Sequence, residues 1–288
     1  MIKIVGNSGC PVEIVQDESC HTFVRKSCIS KSSARLIRQI QKQENFKHDL
    51  IKSPKVLRQK IDEDRYIVEM QYVKSLDFVT FTGNSDIESY NRVSNVIVDF
   101  VKEEFERATI MKFPKTDWEN KVFDVSKKIS DQNKMSDSDL RKINDFLLKD
   151  LPEEILVGNC HGDLTFSNIL IGENNEVFFI DFLDPPVESP YEDFAKILQD
   201  TSHLWSVHHF NGACDKAGVR IRWNYFERLL FEKVFPLIDL HTLKKIQVLS
   251  LFRIVPYTEK IDILGFLLDS ISKEISIASN TTMRGRVK

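Results

Sequence analysis

Two kinds of apolar patterning divide this chain. Up to about residue 73 the apolar positions come in short runs, Ile2 to Val5, Val12 to Val15, Thr22 to Val24 and Tyr66 to Met70, with one helically spaced stretch from Ser32 to Phe46. Short runs rich in branched and aromatic residues predict strands, and apolar positions recurring every three to four residues predict a helix. From about Leu76 the spacing is helical over long segments: Asn91 to Ala108, Asp137 to Leu148, Tyr191 to Trp205, Trp223 to Val234 and Lys260 to Ser276. The polar stretch Ser130 to Ser138 reads as a loop before a helix capped by Ser136 or Asp137. The expected architecture is α+β and two-lobed, with a small β-rich lobe over residues 1–73 and a larger, mainly helical lobe over 74–288.

One segment of the helical part breaks its rule. Ile169 to Ile171 is apolar, Gly172 to Asn175 is a polar turn, and Val177 to Ile180 is apolar again, which predicts a β-hairpin. A hairpin there returns Asp181 to the side of Asn168. Just upstream, residues 161 to 168 read HGDLTFSN. Phosphoryl transfer needs positioning, neutralised phosphate charge and a group that orients the attacking oxygen. Asp163 suits the last role, while Asn168 and Asp181 offer the hard oxygens that Mg²⁺ prefers. Any one of these residues alone reads as a turn or cap residue; the joint spacing points to a phosphotransferase.

HGDLTFSNIL followed by FFIDF resembles the catalytic and metal-binding segments of the aminoglycoside phosphotransferase and choline kinase family, which has a protein-kinase-like fold. The resemblance implies Asp163 as catalytic base and Asn168 and Asp181 as magnesium ligands. Gly162 and Leu183 stand where protein kinases usually have Arg and Gly, which favours the small-molecule branch. It also implies that Asp193, near a helix start, supports the catalytic loop, with His161 structural or orienting.

The ATP side is read from the first lobe. Gly6, Asn7, Ser8 and Gly9 form a glycine turn whose backbone N–H groups suit phosphates. On the strand His21 to Lys26, alternation sends Arg25 and Lys26 to opposite faces. Lys26 is preferred as the phosphate partner, since kinase-like folds use a strand lysine. Glu44 is the candidate carboxylate to orient it, with Gln41 as a weaker neutral substitute. The run Tyr66 to Val73 resembles the strand and hinge that hold the purine edge through backbone groups, which nominates Met70 and Tyr72.

Composition changes little. The chain has 288 residues, 42% of them hydrophobic and 29% charged, and a formal net charge of -3. Such a balance implies no general attraction to nucleic acid or anionic membrane. Five cysteines without paired spacing suggest reduced thiols, and a start without a signal-peptide pattern suggests a cytoplasmic protein. His203, His208 and His209 lack zinc-motif spacing and read as surface or substrate-facing. For the acceptor, Asp184, Glu188 and Glu192 suit a cation such as choline or an aminosugar. Trp205, Tyr191 and the histidines suit a sugar or polyol, such as a surface-glycan precursor, and this is the preferred acceptor class. The rival outside enzymology is a catalytically silent nucleotide-binding protein. Oligomeric state is not set by the sequence.

Overall fold

The computed structural model describes residues 2–4, 10–29, 33–62, 64–185 and 187–285. They form two compact units, one of residues 1–96 and 167–184, the other of residues 97–166 and 185–288. The class is α+β, as expected.

In the first unit, β1 (Ile2–Ile4), β2 (Val12–Gln16) and β3 (Thr22–Ile29) lead into α1 (Ser33–Asn45); β4 (Ile51–Lys52), β5 (Val56–Asp62), β6 (Arg65–Gln71) and β7 (Leu76–Asp77) follow. The antiparallel order β1-β2-β3-β6-β5 makes one sheet. Leu36 and Ile40 of α1 bury against Cys28, Tyr66, Val68 and Met70, so each strand sends alternate residues toward the helix. Next come α2 (Phe78–Asn84), capped by Asp77, and α3 (Ile87–Arg107), along which the chain passes from the first unit to the second.

The second unit continues with β8 (Thr109–Lys112), α4 (Lys115–Asp131), α5 (Asp137–Leu148) and β9 (Glu154–Val157). Ser136 caps α5 by accepting from Asp139 N, and β8 pairs with β9. The chain then returns to the first unit for β10 (Ile169–Ile171) and β11 (Val177–Phe179), the expected hairpin, which joins a second sheet in the order β4-β11-β10-β7. Five helices complete the second unit: α6 (Pro190–Thr201), α7 (Trp205–His208), α8 (Lys216–Val234), α9 (Leu240–Phe252) and α10 (Ile261–Gly285).

Helix α6 is buried over its whole length and packs against α8 and α9. Phe194, Ile197 and Leu198 fill the core, each contributing about 2 kcal/mol by removal from water. Lys245 of α9 is also buried, and its Nζ donates to the carbonyls of Phe146 and Lys149, satisfying the C-terminal end of α5. Burial pushes that ammonium down to about 8. No described helix is long and apolar enough to cross a membrane.

Candidate active site

The first unit gathers most of the residues nominated for the nucleotide. Alternation along β3 separates the two cations: Arg25 pairs across the ladder with Glu69 at 2.8 Å, while Lys26 is buried with its Nζ 2.9 Å from Asp181 Oδ1. The β10–β11 hairpin makes that meeting possible. Ile169 faces Phe179 across it, and Ile180 N donates to Asn168 O at 3.1 Å, so the chain closes directly beside Asp181. Asp181 adopts φ 58°, a left-handed conformation that an aspartate tolerates better than a branched residue. Phe182 then turns inward onto Phe46, with ring centroids 5.1 Å apart.

Three nominations sit differently from expectation, and a fourth cannot be placed. Glu44 accepts from Gln59 at 3.1 Å and does not pair with Lys26, whose charge is met by Asp181 instead. Met70 lies in a central strand, paired with Val24 on one side and Val56 on the other. Its backbone is committed to the ladder, which leaves any purine contact to the residues past Gln71, among them the partly exposed Tyr72. Asp184 forms an ion pair with Arg38 at 2.7 Å. Gly6 to Gly9 lie outside the described residues.

The second unit holds the catalytic-loop candidates. Asp193, in the first turn of α6, accepts from the backbone N–H of His161 and, at 2.7 Å, from that of Gly162. Gly162 has φ 87°, where a side chain would be strained. Asp163 Oδ1 lies 3.0 Å from Lys196 Nζ. Burial pushes the Asp163 carboxyl up, but Lys196, then His161 and Arg253, outweigh it and hold it below the ordinary carboxylate range. At the loop's far end Phe166 N donates to Asp200 Oδ2 at 2.6 Å, and the Phe166 ring sits 4.8 Å from Trp223 and 5.2 Å from Phe226. Asp200 Oδ1 accepts from Ser206 N at 2.6 Å, so one buried carboxylate ties this loop to the start of α7.

Burial lifts Asp200 to about 6, against the pull of those two N–H groups. Because the folded protein holds this proton more tightly than the unfolded chain, the favourable contribution is full below about pH 4 and lost as pH rises through about 6. We expect the stability of wild type relative to Asp200→Asn to fall by about 2 kcal/mol between pH 4 and 7. Urea unfolding of both proteins across that range measures it; a difference independent of pH would remove the linkage.

The sequence model of the phosphotransferase enzyme family matches residues 23–222. The chain belongs to this family. It is thus an ATP-dependent phosphotransferase acting on a hydroxyl group. In fold the phosphotransferase is similar to spectinomycin phosphotransferase APH(9)-Ia, solved with ADP and spectinomycin, at 12% identity over 96% of this chain and 92% of that one, TM-score 0.59. It is also similar to APH(3'')-Id from Streptomyces rimosus, solved with ADP and streptomycin, at 15% identity over 86% and 94% of the two chains, TM-score 0.54. These likenesses show a protein-kinase-like fold. No curated protein matches the chain.

The phosphotransferase carries polar residues near its loop that the sequence reading passed over: Lys196, Asp200 and Arg253. A signal was present. Asp193, Lys196 and Asp200 recur at spacings of three and four along α6, which puts three charges on one stripe of a buried helix. Buried charges of this kind are retained only with partners. Among the histidines, His203 is buried and bonds Glu274 at 2.9 Å, correcting its reading as surface or substrate-facing, whereas His208 and His209 are exposed. Tyr191 is likewise core, its hydroxyl accepting from Asp239 N.

A cavity of about 330 Å³ opens beside α7, lined by Leu204, Val207, His208, Lys216, Ala217 and Arg220. Trp205 is not part of this lining; its ring lies 4.3 Å from that of His209. Partial desolvation, then Lys216 and Arg220, hold the His208 imidazole below its ordinary pKa against the pull of Asp262. Through Asp200 the cavity's Leu204–His208 wall is connected to the Asp163 loop.

Proposed function

We propose that this phosphotransferase moves the γ-phosphoryl group of ATP to a hydroxyl of an uncharged or anionic sugar or polyol. The cavity beside α7 supports the acceptor class: its lining offers two cations and an imidazole over an apolar floor, with no carboxylate among the described lining residues, although Asp262 lies near enough to act on His208. Choline or another compact cation would meet Lys216 and Arg220 with like charge. A hydroxyl-rich acceptor finds donors there instead.

In this reading residues 1–73 serve mainly the nucleotide and residues 74–288 mainly the acceptor and the chemistry. Asp163 orients the acceptor hydroxyl and receives its proton. Lys26 steadies the phosphates, with the Gly6 to Gly9 turn contributing backbone N–H groups. Asn168 and Asp181 would hold Mg²⁺, which when bound neutralises phosphate charge. The residues fit such an ion: among the described residues Asp181 Oδ2 takes no hydrogen bond, and the carboxylate is about half exposed, 46%. Asp193 and His161 hold the loop's shape.

An aminoglycoside acceptor is the second reading, supported by the two similar folds solved with spectinomycin and streptomycin. Coupled ADP release across neutral sugars, polyols, sugar acids, amino alcohols and aminoglycosides separates them. We expect turnover on neutral or acidic polyhydroxyl compounds, reduced in Lys216→Glu/Arg220→Glu. Turnover confined to amino alcohols or aminoglycosides would sink the acceptor class. No turnover on any acceptor would instead favour a catalytically silent nucleotide-binding protein.

A further inference from the structure

The Asp163 loop, Gly162 to Phe166, contains no cation of its own. Its counter-charge comes from α6. Lys196 lies among buried residues, its side chain 10% exposed, with Nζ 3.0 Å from Asp163 Oδ1 and 3.4 Å from Gln199 Oε1. A long lysine stem gives up rotamer freedom to sit this way, and its ammonium gives up hydration. Such an arrangement persists where the charge has a fixed partner to serve.

We propose that Lys196 is a positioning residue for Asp163, its ammonium anchoring the carboxylate in the working orientation and supplying the counter-charge that the loop lacks. The proposal rests on the reading of Asp163 as the base. The surrounding charges leave Lys196 as the main source. Arg253, at the end of α9, is also felt by Asp163, but its Nη1 lies 3.8 Å from the buried Glu192 Oε2. Neither of those two atoms has a hydrogen-bond partner among the described residues, so each is the other's nearest compensation. Glu188, preceding α6, adds negative charge around Glu192, and His161, just before the loop, acts on Asp163. Without Lys196, burial and Glu192 act on Asp163 against one arginine already engaged and one histidine.

The consequence is a base that stays ionised in a partly buried setting, its side chain 25% exposed. Removing Lys196 takes away the largest influence holding the Asp163 carboxyl down, so it is expected to titrate higher. Carboxyl ¹³C titration of aspartate-labelled protein reads this directly, with the Asp163 signal identified by its loss in D163N. The second readout is ATP turnover to water with magnesium present, followed against pH.

In K196M the Asp163 midpoint and the acid limb of turnover are expected to move up together, and K196R to restore both. If K196M does not fold, K196Q is the neutral variant. An unmoved midpoint in a folded neutral variant overturns the inference, and so does a turnover loss equal at every pH. D163N separates the two layers. Wild-type turnover in D163N removes the base reading and the positioning role with it. An inactive D163N beside an unmoved titration in K196M overturns the positioning role alone.

Discussion

Replacing Asp163 by asparagine is expected to lower kcat by about 10²- to 10⁴-fold, the range by which a positioned base accelerates proton transfer. The amide keeps the shape of the carboxylate and can still accept from Lys196, so the fold is expected to survive and the loss to fall on chemistry. An interaction made only as the hydroxyl gives up its proton affects kcat more than KM. Steady-state kinetics with whichever acceptor the panel identifies, alongside thermal unfolding, checks this. Near wild-type kcat in a folded Asp163→Asn protein would remove Asp163 from the chemistry.

The second large effect is expected at Asp181. In Asp181→Asn the charged oxygen proposed for Mg²⁺ is lost, and Lys26, buried at 4% exposure, faces a neutral amide. Loss of the ion weakens the charge compensation of the phosphates, and Lys26 loses the carboxylate that fixes its direction. The expected loss is about 10²- to 10³-fold in kcat, comparable to removing one charge-stabilising group. Calorimetric titration of ATP with and without magnesium gives the sharper test. Wild type should bind more tightly with the ion present, and Asp181→Asn should lose most of that difference. An unchanged difference would assign the metal elsewhere.

How far the sequence revealed these features follows from how each is held. The hairpin was legible because Ile169 to Ile171 and Val177 to Phe179 are apolar runs flanking Gly172 to Asn175, a local pattern needing no distant partner. The separation of Arg25 and Lys26 onto opposite faces of β3 was legible for the same reason, but alternation left open which of them turns inward; the structure turns Arg25 to Glu69 and buries Lys26. Strand β5 was missed because it is an edge strand with mostly exposed Leu57 to Gln59, so it shows no buried alternation. Helix α9 was missed for the opposite reason: every residue from Lys245 to Phe252 is buried, which leaves no amphipathic stripe.

At the candidate site, the contacts that sequence spacing does not encode were the ones misread. Glu44 was chosen as the only acid on α1, yet it reaches Gln59, and the charge facing Lys26 comes from a residue 155 positions away. Asp193 was placed beside the catalytic loop, but Lys196 and Asp200 follow from it only once α6 is known to be buried on all sides. Ordinary helical charges are solvated; these three are buried and are met by protein groups instead.

The bonds from Asp193 and Asp200 also make α6 a ruler for the catalytic loop. Their positions differ by seven residues, about 10 Å along a helix axis. One end of the loop is pegged by the N–H groups of His161 and Gly162, the other by that of Phe166. Segment length between the pegs is therefore set by helix geometry rather than by the chemistry at Asp163. Side chains within the loop can vary while the span holds, but adding or deleting a single residue would force one peg to let go.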